Sequence, residues 1–327
     1  MTGLRTALVE DSTGLQSLAA EWWDLWRRCS AATPFQSPAW LLPWWEVFGP
    51  GRLFTVAVWD GPRLAGLAPI YLEEGALGRR LLPIGIGITD YLDILLDPGV
   101  PAGAGALADA VGELVPDWEV WELEELMPGA AGFGLPAPTR MSDESIDQSV
   151  CPVLDLLHES AIPPRKRRKL RMAENRVSRR RGEVIGVGSQ SVPGFLDDIV
   201  RLHGARWATR GEDGVLADDP VRRFHAAALP QLVAAGLARL STLTIEGQVV
   251  GAYYGLHHGP RAYAYLGGFD PDFAFESPGT VLVGHAIETA RQEGATEFHF
   301  LRGQEPYKYE WGAADRPNRR RTFRRDG

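Results

Sequence analysis

Apolar and polar positions along the chain change period many times, and each change marks an element. Residues 5–10 alternate as a short strand, and 15–29 then turn to helical spacing, with Leu18, Trp22, Leu25 and Trp26 on one face. Ser37 and Pro38 open a second helix carrying Trp40, Leu41, Trp44, Trp45 and Phe48. Residues 53–59 and 64–72 read as a hairpin through Asp60-Gly61, followed by strands at 81–86 and 92–96, a small-residue helix at 104–114 and a strand at 120–126. A Gly- and Pro-rich stretch, 128–149, separates this half from the next, part of it a strand crossing between the two.

The second half repeats the order. A strand at 153–157 precedes Pro163-Pro164 and a basic helix whose buried face is Leu170, Ala173 and Val177, ending at Gly182. A short strand at 184–187 and helices at 194–209 and 220–235 follow, then a meander of strands at 238–245, 249–256 and 262–269. Ser277 as N-cap and Pro278 at the first position open a helix with Val281, Leu282, His285, Ala286 and Thr289 at helical spacing, and Gly294 stops it. A last apolar strand, 297–301, leads into Gly303-Gln304-Glu305-Pro306-Tyr307-Lys308. Long helices before an antiparallel meander argue for α+β layers and against a doubly wound sheet.

A strand, a Gly-containing turn and a helix start put free backbone N–H groups at the positive end of a helix dipole, which suits a phosphate or pyrophosphate. Ser277, Pro278, Gly279, Thr280 and Val281 are therefore the candidate ligand-binding turn. A next strand splayed from 263–269 would leave an opening beside it.

The wording Ser-Pro-Gly, then Phe-His-Phe-Leu-Arg-Gly, then Glu-Pro-Tyr-Lys-Tyr-Glu-Trp resembles the C-terminal half of the CelD-type acyltransferases, GNAT-fold proteins related to the FemABX peptidyltransferases. The resemblance takes in Leu-His-Gly-Ala-Arg-Trp-Ala-Thr-Arg at 202–210, Pro-Phe-Gln-Ser-Pro-Ala-Trp at 34–40 and Asp90-Tyr91, so it spans nearly the whole chain. It implies two tandem GNAT-like domains with a cleft between them, 1–150 structural and 151–327 bearing the donor site. It also implies a co-substrate, acetyl-CoA or another acyl-CoA, with its pyrophosphate at 277–281, although Glu276 and Val281 depart from the usual Arg/Gln-x-x-Gly-x-Gly/Ala turn.

Acyl transfer needs a base for the nucleophile and an acid for the leaving thiolate. Glu305 and His299 are the candidate bases, Tyr307 the acid and Lys308 an anion-binding group; each also has a plain reading, Tyr307 packed, Glu305 and Lys308 an ion pair, His299 a core histidine between Phe298 and Phe300. His203, Arg206, Trp207 and Arg210 share a helix face, and the resemblance makes it acceptor-binding, with Arg206 an anion clamp and Trp207 a stacking wall. Gln36, Asp90 and Tyr91 would help close the cleft.

Charge adds a second theme. The net charge is −8, but ten basic residues between Arg165 and Arg181 face only Glu174, and the tail adds Arg316, Arg319, Arg320, Arg321, Arg324 and Arg325. Two basic segments on an acidic body suit a localised anionic partner. For the 165–181 segment the FemABX kinship makes that partner tRNA, with an aminoacyl-tRNA donor as the alternative to acyl-CoA. A third reading is a catalytically degenerate fold that binds an anionic polymer or a partner protein.

Other classes are disfavoured. Gly85-Ile86-Gly87 lacks a third glycine and a following helix, so it is no dinucleotide fingerprint, and neither a Walker loop nor a Gly-x-Ser-x-Gly elbow occurs. Cys29 and Cys151 cannot form a multi-cysteine zinc site, His257-His258 sits at a turn, and no metal is expected. The N-terminus lacks a secretion signal and no apolar run spans a bilayer, so the expected location is cytoplasmic.

Overall fold

A computed structural model describes residues 3–209 and 211–325. The chain divides into two compact units, Met1–Ser149 with Arg316–Gly327, and Val150–Asp315.

The first unit starts with β1 (Arg5–Val9), and the single helix expected over 15–29 is two, α1 (Ser12–Ser17) and α2 (Ala19–Arg28), because the Asp11 side chain caps a first helix that ends at Leu18. Then come α3 (Pro38–Phe48), β2 (Arg52–Leu53), β3 (Thr55–Asp60), β4 (Arg63–Ala68), β5 (Ile70–Gly75), β6 (Gly78–Pro83), β7 (Leu95–Leu96), α4 (Gly103–Leu114), β8 (Val120–Leu126) and the first part of β9 (Met141–Asp155). The hairpin through Asp60-Gly61 is present, but its second arm breaks at Pro69, which has no N–H for a ladder, so β4 and β5 enter different sheets. β1, β3, β4 and β7 form one antiparallel sheet. β8 pairs with β6 in parallel, and β6 with β5 in antiparallel. Val56, Val58, Leu81, Trp121, Leu123 and Phe323 lie in one apolar core.

The second unit contains the rest of β9, α5 (Pro164–Arg179), β10 (Glu183–Gly186), α6 (Val192–Ala208), α7 (Asp219–Ala234), β11 (Ala238–Ile245), β12 (Gln248–His258), β13 (Arg261–Phe269), α8 (Pro278–Gln292), β14 (Glu297–His299) and α9 (Pro306–Glu310). Strand order is β10-β11-β12-β13-β14-β9. Every pair is antiparallel except β13 with β14. Neighbouring strand residues point to opposite faces, and the end of β13 shows which helix covers which face. A Cβ on Gly268 would stand 2.3 Å from the His203 nitrogen of α6, while Phe269 packs on Gly279 of α8. Helix α5 lies on α8, where Gly284 makes room for Leu170.

The division between the halves differs from the expected one at the C-terminus. Residues expected as a basic tail of the second half form most of β15 (Ala314–Arg325), which pairs with β8 of the first unit. Its arginines are partly neutralised there: Arg321 is buried and bonds Asp143 through two nitrogens, and Arg319 faces Asp147 at 3.4 Å. A β-strand places such side chains opposite acids of adjacent strands, so the tail is not a free basic segment.

Candidate functional site

Strands β13 and β14 separate within the second unit. They pair only at Arg261 with Glu297, Ala262 with Phe298 and Tyr263 with His299. Beyond His299 the chain follows β9 instead: Phe300 N–H donates to the Pro152 carbonyl and Gly303 N–H to the Val150 carbonyl. From Ala264 onward β13 therefore has no β14 neighbour, and a wedge opens between the two strands. At the same point β13 bulges, since Tyr254 pairs with Leu266 and Gly255 with Ala264, leaving Tyr265 as the extra residue. Bulges of this kind re-aim backbone and side chains beside functional sites.

Three elements converge on the wedge. From α6, Arg206 donates to the Gly267 carbonyl at 3.2 Å, and its guanidinium lies 5.6 Å from the Phe269 ring and 5.9 Å from the Tyr307 ring. From α9, Tyr307 is half-buried and packs edge-on against Phe300. From β12, Tyr253 is buried, and its hydroxyl is pushed far above the usual phenol range, by burial first and then by the neighbouring Tyr307. Arg206, Tyr307 and Glu305 thus share one neighbourhood, and burial of Glu305 is outweighed there by the Lys308 hydrogen bond and charge, a backbone N–H and the charge of Arg206, which hold its carboxyl below the usual range. Glu305 is a stable anion rather than a group poised near neutrality, which fits an orienting role better than general-base chemistry.

Lys308 forms the ion pair with Glu305 that is the plain reading of the sequence, and binds backbone carbonyls as well. Its side chain is 3% exposed, and its ammonium donates to the carbonyls of Leu301 (3.1 Å), Arg302 (2.6 Å) and Gly303 (3.0 Å) and pairs with Glu305 at 2.9 Å. An ammonium has three N–H groups, and four acceptors already surround this one. Lys308 locks the loop after β14, including Leu301 at a left-handed φ of 62°. His299 is also a core residue: its side chain is 1% exposed, bonded through Nε2 to Glu297 at 3.1 Å and stacked on Tyr263. It sits where the two strands are still paired, before the wedge opens.

The turn at 277–281 lies at the other end of the wedge strand. Ser277 occupies the cap position but adopts a left-handed conformation (φ 56°), and its side chain makes no cap bond. Its carbonyl instead receives Thr280 N–H (3.0 Å) and Val281 N–H (3.3 Å). Pro278 has no N–H, so Gly279 holds the first-turn donor with no partner among the described residues. Glu276, next to this turn, is buried and neutralised by Arg180 at 3.0 Å, which preserves the positive end of the α8 dipole.

The α6 face contributes one member to the wedge. His203 is buried against β13 and accepts a hydrogen bond from the Trp207 indole at 2.9 Å. Burial, then the charge of Arg206, pushes its pKa down to about 4. With Nε2 as acceptor the ring proton is on Nδ1, which has no partner among the described residues. Trp207 packs on Gly214, where a Cβ would fall 2.6 Å from the indole. Arg210 lies outside the described residues.

The first-half candidates are framework. Gln36 accepts from Thr33 N–H and Thr33 hydroxyl and donates to the Tyr91 carbonyl at 2.6 Å, so its amide is committed. Tyr91 is buried edge-on to Phe35, and the Asp90 carbonyl receives the Asn318 amide. Residues that the sequence reading missed are Tyr253, Tyr265 and Phe269, and the dipeptide Gly267-Gly268 inside a strand was the available signal for a close approach there. Among the described residues no three His, Cys, Asp or Glu side chains converge as a metal site, and no helix is long and apolar enough to cross a membrane.

Residues 164–309, from α5 into α9, match a protein-family model described as the acetyltransferase (GNAT) domain. A comparison with curated proteins finds no match. Among solved structures, FemX aligns over 97% of this chain and 96% of its own with a TM-score of 0.68 at 12% identity. A conserved protein of unknown function from Bacteroides thetaiotaomicron aligns over 94% of this chain and 97% of its own (TM-score 0.60, 13% identity), and L-PGS from Bacillus licheniformis over 94% and 92% (TM-score 0.58, 13% identity). At such identities the likeness is one of fold. The chain therefore has the α+β GNAT fold, with mixed sheets flanked by helices, and its span 164–309 matches the GNAT acetyltransferase domain.

Proposed function

We propose that the second unit transfers an acyl group from acyl-CoA to an amine or hydroxyl acceptor, a sugar or a metabolite, by direct attack on the thioester in the wedge between β13 and β14. The observation that carries the reading is the placement of Tyr307 and Arg206 at that wedge, with the Gly279 N–H and the α8 N-terminus at the end of the same strand. The pyrophosphate would meet Gly279 N–H and the helix dipole, and the pantetheine would run along the unpaired edge of β13. The acceptor nitrogen or oxygen attacks the thioester carbonyl, the new C–N or C–O bond forms and the C–S bond breaks; the acceptor's proton leaves to water, and the Tyr307 hydroxyl gives its proton to the departing thiolate and regains one from solvent. Glu305, held ionised, would orient the acceptor. Positioning and backbone donors at the developing oxyanion supply most of the rate. The CelD-type wording of 277–310 supports this donor; an aminoacyl-tRNA donor is the competing outcome.

Calorimetry with acetyl-CoA tests it. Saturable binding is expected in the unaltered chain and loss of at least about tenfold in Gly279→Leu, whose side chain would press on Phe269, 3.4 Å from the Cβ position, and cover the free N–H. No acetyl-CoA heat, together with binding of aminoacyl-tRNA, would overturn the acyl-CoA reading.

A further inference from the structure

Helix α5 separates its basic residues into two sets. Lys166 is buried against Glu310 and the Trp311 ring, Lys169 pairs with Glu310, Arg176 donates to the Phe275 carbonyl, and Arg180 pairs with Glu246 and Glu276. These four hold the helix to its own unit. Arg165, Arg167, Arg168, Arg171 and Arg179 are exposed and have no acidic partner among the described residues. At 100° per residue Arg168, Arg171 and Arg179 fall on the side opposite the buried Ala173 and Val177, with Arg165 and Arg167 on its two flanks. Met172 lies within that arginine face, 49% exposed, and Phe275 lies beside it, 69% exposed, with the Arg176 guanidinium 4.3 Å from its ring.

We propose that this face of α5 docks the protein on a membrane surface rich in anionic phospholipid. Charge complementarity supplies the first half of the argument, since each exposed guanidinium without an acidic partner gains roughly fivefold, or about 1 kcal/mol, near an anionic lipid surface. The exposed apolar side chains supply the second. Phosphate contacts account for most nucleic-acid affinity, and they make no use of an unbranched apolar side chain such as Met172 set among the arginines. An interfacial helix uses both, with apolar side chains entering the headgroup layer between lysines or arginines. The acidic remainder of the chain is repelled by such a surface, which would orient α5 toward it.

Flotation of the full chain with phosphatidylcholine vesicles, with and without about one-third phosphatidylglycerol, tests this at low and high salt. Binding is expected only with phosphatidylglycerol and is expected to fall as salt rises. Arg168→Ala with Arg179→Ala should weaken the partition about 30-fold, at roughly fivefold per arginine. Met172→Asp should weaken it about tenfold while circular dichroism and melting stay close to wild type, because the side chain is 49% exposed. Failure of the folded wild type to float with anionic vesicles would overturn the proposal. So would a Met172→Asp protein that partitions like wild type, or binding of bulk tRNA that is lost in the double-arginine variant while vesicle binding is not.

Discussion

Replacing Lys308 with methionine separates a structural ammonium from a catalytic one. Methionine fills nearly the same volume, so the packing loss is small. The polar loss is large: three backbone carbonyls of residues 301–303 and the Glu305 carboxylate lose their shared donor in a site where the lysine side chain is 3% exposed. Each buried acceptor left unmatched costs about 1–3 kcal/mol, partly offset because the ammonium itself no longer has to be desolvated. A net loss of about 3–5 kcal/mol follows, which for a unit of this size lowers the melting temperature by roughly 10 °C. Urea and thermal unfolding followed by near-ultraviolet circular dichroism would read it. A Lys308→Met protein within about 1 kcal/mol of wild type but devoid of acyl transfer would refute the reasoning and return Lys308 to the chemistry.

Tyr307→Phe keeps the ring contacts with Phe300 and Arg206 and removes only the hydroxyl, so stability should hold while kcat falls about 10²–10³-fold with KM for acyl-CoA nearly unchanged; an unaltered kcat would remove Tyr307 as the acid. His203 and His225 are neutral in the folded protein, with pKa values pushed down to about 4 and about 3, in each case by burial first, then by Arg206 for His203 and by His203 for His225. Their unfolded forms titrate near the ordinary value, about 6.5, so each contributes stability that is complete above that pH and is lost as pH falls toward 4. For His203 this is about 3 kcal/mol, and urea unfolding at several pH values should show His203→Gln with a shallower acid slope than wild type. Asp93 in the first unit acts with the opposite sign: burial holds its pKa up to about 7 against three backbone N–H bonds, so its contribution is lost as pH rises from about 4 to 7, and Asp93→Asn should flatten that limb in the same titration.

Much of the fold could be read from local pattern because the deciding interactions are local. Pro278 at a helix start, Pro163-Pro164 before α5 and the turn residues between β11, β12 and β13 act within a few residues of themselves, and the structure has these elements where they were expected. The failures lie where a residue's partner is distant or its conformation is unusual. Ser277 is a good cap by type, yet at a left-handed φ its carbonyl, not its hydroxyl, serves the first turn. A run of arginines near the C-terminus looks like solvated charge until β15 places Arg321 against Asp143 and buries Phe323 in the apolar core.

The candidate site was half legible for the same reason. Glu305, Tyr307 and Lys308 were picked out as a group at the end of the last core strand, but three neighbours in sequence have three environments. Lys308 points inward to carbonyls, Tyr307 stands at the wedge, and Glu305 is held between the Lys308 and Arg206 charges. What distinguishes them is α6, which brings Arg206 to Tyr307 across a long stretch of chain. That approach depends on Gly268, since any Cβ there would collide with the His203 backbone and lift the helix from β13. The Gly267-Gly268 pair near the end of an aromatic strand is thus the sequence mark of the Arg206–Tyr307 pairing. It marks only that something comes close, and the identity of that neighbour is set by the fold.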